Sequence, residues 1–181
     1  MASKVDSLLE AYEMAIHEPW IGTLSGQERV WFLVYDPAEQ RKVAFRMGDL
    51  ETTTLKAGKN WIEVSMKSCF PEWMAGHAYK DDYFADPEAL VDQLETDFKQ
   101  SAVQYLINQI QSLGADDNTV IALCDVSALF GFVRLNEVLR AAADAFRGRM
   151  LVFFPGEYEP NQYRLLDARD GWSYLARPIT A

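Results

Sequence analysis

The chain predicts a three-layer α/β domain, a mostly parallel sheet with helices on both faces. Three observations lead there. Apolar runs at 29–35, 119–124 and 150–154 lack polar alternation, as strands buried on both faces do. Amphipathic or capped helical stretches alternate with them along the chain. Pro and Gly punctuate the joints, as at Asp36-Pro37, Gly58, Asp86-Pro87, Gly114 and Pro155-Gly156.

The first element is a helix over 4–17. Val5, Leu8, Leu9, Tyr12, Ala15 and Ile16 recur at the spacing of one helical face, and Ser3 with Asp6 supplies a capping box. Residues 18–28 carry Pro19, Gly22 and Gly26 and read as a loop. The first strand, 29–35, runs into Asp36-Pro37, an N-cap followed by a first-turn proline, with Glu39 placed to close a second capping box. A helix to about residue 56 follows, burying Val43, Met47 and Leu50, and Gly58 stops it. The strand 61–66 alternates, with Ile62, Val64 and Met66 on one side and Glu63 and Ser65 on the other, which predicts a place near the sheet edge.

Residues 67–86 are aromatic and irregular, with a short helix around 71–77. Asp86-Pro87 opens a long helix to about residue 113 with Leu90, Val91, Leu94, Phe98, Ala102, Leu106 and Ile110 inward. The strand 119–124 ends at Asp125. A helix lies within 127–146, burying Leu135, Val138, Leu139 and Ala142, and the strand 150–154 precedes up to two more at 163–166 and 174–177. One domain spans 1–181, an N-terminal helix and loop (1–28) leading into an α/β core (29–181), without internal repeat or low-complexity tract.

Composition narrows the function. The 181 residues carry 17 basic and 27 acidic side chains, a formal net charge of −10. No basic stripe for duplex phosphates stands out, which argues against direct nucleic-acid binding. No run of about 18 apolar residues is present, and the N-terminus has acids where a signal peptide needs an apolar core, so no membrane span and a cytoplasmic location are expected. Two cysteines, Cys69 and Cys124, make neither a disulfide framework nor a metal-ligand spacing.

Ala57-Gly58-Lys59 imitates the end of a phosphate loop, but Thr53 stands where its first glycine belongs and the lysine follows a helix, so Gly58 reads as a helix stop. Asp36 and Asp125 both follow apolar strands, at the sheet edge where open α/β folds bind ligands. Were their strands neighbours, the two carboxylates could share a divalent cation for phosphoryl chemistry; otherwise Asp36 caps a helix and Asp125 begins a turn. A nucleophilic cysteine would need His17 or His77 brought to Cys69 or Cys124 from a distance in sequence, whereas a buried cysteine commonly packs as a small hydrophobe.

Two surface features remain. Seven acids between 81 and 97 against Lys80 form either a solvated helix face or a patch that steers a basic partner. At the C-terminal end, Tyr158, Tyr163, Arg164 and Trp172 are the residue types that anchor protein interfaces. The same residues equally suit a last core layer, with Asp170-Gly171 as a turn and Arg169 paired to Asp167 or Asp170.

The run VFFPGEYE followed by NQYRLLDARDGWSYLA, with RVWFLVYDP at 29–37 and NTVIALCDVSALFGFVR at 118–134, resembles the BrxB family of the BREX phage-exclusion systems. The resemblance covers nearly the whole chain, the first 25 or so residues least. It implies a complex member in phage defence with the PglZ protein as partner. It implies no established reaction and no cofactor. A non-catalytic adaptor is therefore the leading expectation, and a metal-dependent phosphoesterase or nucleotide-binding enzyme on Asp36 and Asp125 the alternative.

Overall fold

The computed structural model describes residues 3–159 and 176–181, and the backbone of 162–164. Five parallel strands form one sheet in the order β2-β3-β4-β1-β7: β2 (Asn60–Ser65), β3 (Thr119–Cys124), β4 (Arg149–Pro155), β1 (Val30–Tyr35) and β7 (Arg177–Ile179). A separate antiparallel pair, β5 (Glu157–Glu159) with β6 (Gln162–Arg164), follows β4.

All six residues of β1 are buried, and alternate ones serve opposite cores. Trp31, Leu33 and Tyr35 pack with Val5, Leu8 and Tyr12 of α1 (Lys4–His17), Val43 of α2 (Gln40–Phe45) and Leu50 of α3 (Met47–Lys56). Val30, Phe32 and Val34 pack on the other face, which is covered by α4 (Cys69–Gly76), α7 (Lys99–Ser112) and α8 (Leu135–Ala142). A strand with one apolar side chain per layer cannot alternate with polar residues, which is why the run reads as continuously hydrophobic.

The N-terminal capping box forms in both directions. Asp6 N–H donates to Ser3 Oγ and Ser3 N–H to Asp6 Oδ2, each at 3.1 Å. The box expected at Asp36 is one-sided: Asp36 Oδ1 accepts from Ala38 N–H at 2.9 Å, and the Glu39 carboxylate pairs with Lys42 Nζ at 2.8 Å instead of reaching back. The helix expected over 37–56 is also divided. A 3₁₀ turn (Pro37–Glu39) leads into α2, and Arg46 leaves helical geometry at ψ 9° before α3 begins. Gly58 ends α3 with φ +75°, a conformation open to glycine without a Cβ clash, while its N–H donates to Leu55 O and the Lys59 N–H to Thr54 O.

The long helix after α5 (Lys80–Ala85) starts as a 3₁₀ turn (Pro87–Leu90), continues through α6 (Val91–Gln93) and passes a π turn (Leu94–Phe98) into α7. Phe98, Ala102, Leu106 and Ile110 are buried as the spacing predicts, but Val91 is 58% exposed. The π turn accounts for the miss: the wider turn rotates the segment before it out of the phase of α7. Within 127–146 the helix is confined to α8, preceded by a 3₁₀ turn (Val126–Leu129), and its four predicted core residues are all 0% exposed. Strand β2 lies at the sheet edge, as its alternation predicts. Strand β6 shares positions 163 and 164 with the expected 163–166 segment, and β7 shares only Arg177 with 174–177.

Candidate functional site

Because every strand of the sheet is parallel, all their carboxyl ends share one edge, and two crevices open there on the side of α1–α3. Tyr35, the last residue of β1, lines both; it is 7% exposed and its hydroxyl donates to Gln40 Oε1 at 2.7 Å. Burial, then the neighbouring Cys124, pushes the Tyr35 hydroxyl pKa well above its usual value.

The larger crevice, about 610 Å³, lies between the start of α1 and β5. Its apolar floor includes Val5, Leu8 and Val34, and its charged rim is Lys4 against Asp36, Glu39, Glu157 and Glu159. Gly156 N–H donates to Tyr35 O at 2.8 Å, carrying the chain from β4 across the end of β1. Strand β5 then leaves the sheet with all three residues exposed, and Tyr158 lines the crevice. The β5–β6 register sets position 158 opposite 163 and position 157 opposite 164. Thus three of the four predicted interface residues, Tyr158, Tyr163 and Arg164, belong to one two-stranded ribbon; Trp172 lies outside the described residues.

The second crevice, about 420 Å³, is bounded by α2, the start of α3 and the ends of β1, β2 and β3. It holds Glu63, Ser65, Cys124 and Asp125. Asp125 is the one non-glycine described residue with positive φ, +56°. Its Oδ2 accepts from Ser65 Oγ at 2.5 Å, tying the end of β3 to the end of β2, and Ser65 Oγ in turn accepts from Lys67 N–H.

The strand order separates the two aspartates. Strand β4 lies between β1 and β3, so Asp36 and Asp125 follow strands about 10 Å apart and line different crevices. The neighbouring-strand condition for a shared cation is not met, and Asp36 caps its 3₁₀ turn. Among the described residues no group of three or more His, Cys, Asp and Glu is placed to hold a metal ion.

Neither cysteine meets a histidine. Cys69 begins α4 and His77 caps its end, about 12 Å along the axis by helical rise. His77 instead sits among Trp73, Tyr79 and Tyr83, with Nε2 3.5 Å from Asp97 Oδ2, and His17 bonds to Glu13 O. Burial, and then nearby acids, push the Cys69 thiol up to about 11 and the Cys124 thiol up to about 12, away from thiolate chemistry. The acidic residues of 81–97 are all exposed, beside the exposed apolar Tyr79, Phe84 and Val91.

One feature escaped the sequence reading. Lys59 precedes β2, Arg29 precedes β1, Arg149 opens β4 and Arg177 opens β7, so four of the five parallel strands start at a cation. The signal was a basic residue at the head of an apolar run, legible only once the runs are known to be parallel. Among the described residues no helix is long and apolar enough to cross a membrane. Compared with family models, curated proteins and solved structures, the chain matches none.

Proposed function

We propose that this chain is a non-catalytic interaction component of a BREX-type phage-defence complex, with the PglZ protein as its partner. The observation that carries the proposal is the use made of the C-terminal run. The segment with the most specific BrxB-like residues supplies a two-stranded ribbon that stands off the main sheet and borders the crevice of about 610 Å³. Tyr158 is 36% exposed at that border, and a tyrosine beside an apolar floor with an acidic rim suits a partner segment bearing apolar and basic side chains.

The test is co-expression with the PglZ protein of the same operon, followed by the mass of what elutes. A complex of defined stoichiometry is expected, and Tyr158→Ala or Tyr163→Ala is expected to weaken it at least tenfold. Two separate species with the unaltered chain would overturn the proposal. The metal-dependent phosphoesterase on Asp36 and Asp125 has against it the separation of the two carboxylates. Magnesium or manganese binding by calorimetry that disappears in both Asp36→Asn and Asp125→Asn would restore it.

A further inference from the structure

Residues 79–93 stand in the fold without contributing to its core. None of them is buried, although most lie in helical turns: α5, the 3₁₀ turn (Pro87–Leu90) and α6. Short helices draw their stability from covering an apolar face, and here that face is left in solvent. Tyr79, Phe84 and Val91 are 62%, 70% and 58% exposed. Among the described residues they are three of the nine exposed large apolar side chains, so exposure is concentrated here rather than scattered.

The segment is nevertheless held at both ends. Helix α5 packs on α4, and the Tyr83 ring lies 5.0 Å from that of His77. Beyond α6, the Trp73 indole N–H donates to Asp97 Oδ2 at 3.1 Å. The π turn keeps α6 out of the phase of α7, and Val91 shares its exposed side with Glu88 and Asp92 at three- and four-residue spacing. Phe84 shares a face of α5 with Asp81, and α5 lies against the 3₁₀ turn.

Charge selects the partner. Asp81, Asp82, Asp86, Glu88 and Asp92 take part in no ion pair among the described residues. Lys80, the one cation of 79–93, donates to Ala75 O. Such a surface repels nucleic acid and anionic lipid, and a second copy docked through the same face would set carboxylate against carboxylate. Carboxylates around aromatic and branched apolar side chains fit a partner with Lys or Arg beside its own apolar stripe. A helix carries both at the spacing that this face presents.

We infer that the outer face of residues 79–92 is a docking surface for a cationic amphipathic helix of a protein partner. It adjoins α4, on the opposite face of the sheet from the crevice that Tyr158 borders, and is a second surface of the chain.

The probe is a synthetic helical peptide of about 14 residues, leucine along one stripe and lysine elsewhere, titrated into the intact isotope-labelled chain by NMR. It contains nothing of the partner proposed above, so this result and the co-expression result stand apart. Amide shifts centred on 79–92 are expected, with affinity falling about tenfold between low salt and about 0.5 M salt. Phe84→Ala with Val91→Ala and, separately, Glu88→Gln with Asp92→Asn should each weaken binding about fivefold. All four side chains are exposed, so both variants keep the fold. Glu10→Gln with Glu13→Gln removes the same charge from the exposed side of α1 and should change affinity less than about twofold. No shifts, shifts scattered over the surface, or equal losses in the two charge variants overturn the inference. So does affinity unchanged by Phe84→Ala with Val91→Ala, which reduces the face to diffuse charge.

Discussion

The two edges of the sheet belong to the same strands and differ in almost every chemical respect. At the carboxyl edge Asp36, Glu39, Glu63, Asp125, Glu157 and Glu159 border open crevices, and most of them are exposed to solvent. At the amino edge Arg29 and Arg149 are buried among tryptophan and phenylalanine rings, with Lys59 and Arg177 beside them. Parallel strands make this segregation possible, since a residue type repeated at strand starts collects on one edge. A net charge alone conceals it. The −10 of the whole chain describes the carboxyl edge well and the amino edge not at all.

Packing differs as sharply. At the amino edge a Cβ on Gly148 would stand 2.0 Å from Thr119 O, so the head of β4 passes the head of β3 with room for hydrogen only. Gly148→Ala is expected to cost about 3 kcal/mol in the denaturant midpoint. A cost below about 1 kcal/mol would show the amino edge to be as loose as the other.

The carboxyl edge should answer to backbone geometry instead. Asp125→Val places a branched side chain at φ +56° and removes the bond from Ser65, for an expected loss of about 2 kcal/mol by thermal unfolding. Asp125→Asn tolerates that geometry and retains an acceptor, so it should stay within about 0.5 kcal/mol. Equal losses in the two variants would place the constraint in the charge of Asp125.

A smaller effect comes from α1, whose first turn borders the larger crevice. Hydrogen bonds from Arg46 and then Ser3 hold the Asp6 carboxyl down at about 2, against an ordinary 3.8. A depressed folded value means a contribution that is full above about pH 4 and lost as the pH falls through 2. Asp6→Asn should therefore lower Tm at neutral pH, and its gap to the unaltered chain should close between pH 4 and pH 2. A gap independent of pH would leave Asp6 a simple cap without the Arg46 pairing.

The smallest response is expected from the thiols. With Cys124 pushed up to about 12 and Cys69 to about 11, neither should be alkylated by iodoacetamide at pH 7 in the folded chain, as mass spectrometry would show. Rapid modification of Cys124 would reopen the second crevice as a nucleophilic site.

What the sequence by itself determined is the local and periodic part. Three uninterrupted apolar runs, one alternating run and the Ser3–Asp6 cap name a buried parallel sheet, its edge strand and its first helix, because burial on one or two faces leaves a period in the residues. Even the helix stop at Gly58 follows from residue type, since glycine is the residue that takes a positive φ freely, and it stands there at +75°. Phase was legible only while the helix stayed regular, so the π turn before α7 hid the exposure of Val91. The tertiary structure decided which strand ends are neighbours. Strand order depends on how two helical layers close over the sheet, a sum of many small contacts that no short window of sequence contains. That order put β4 between Asp36 and Asp125, joined Tyr158 to a crevice, and brought Arg29, Lys59, Arg149 and Arg177 together from four distant places in the chain.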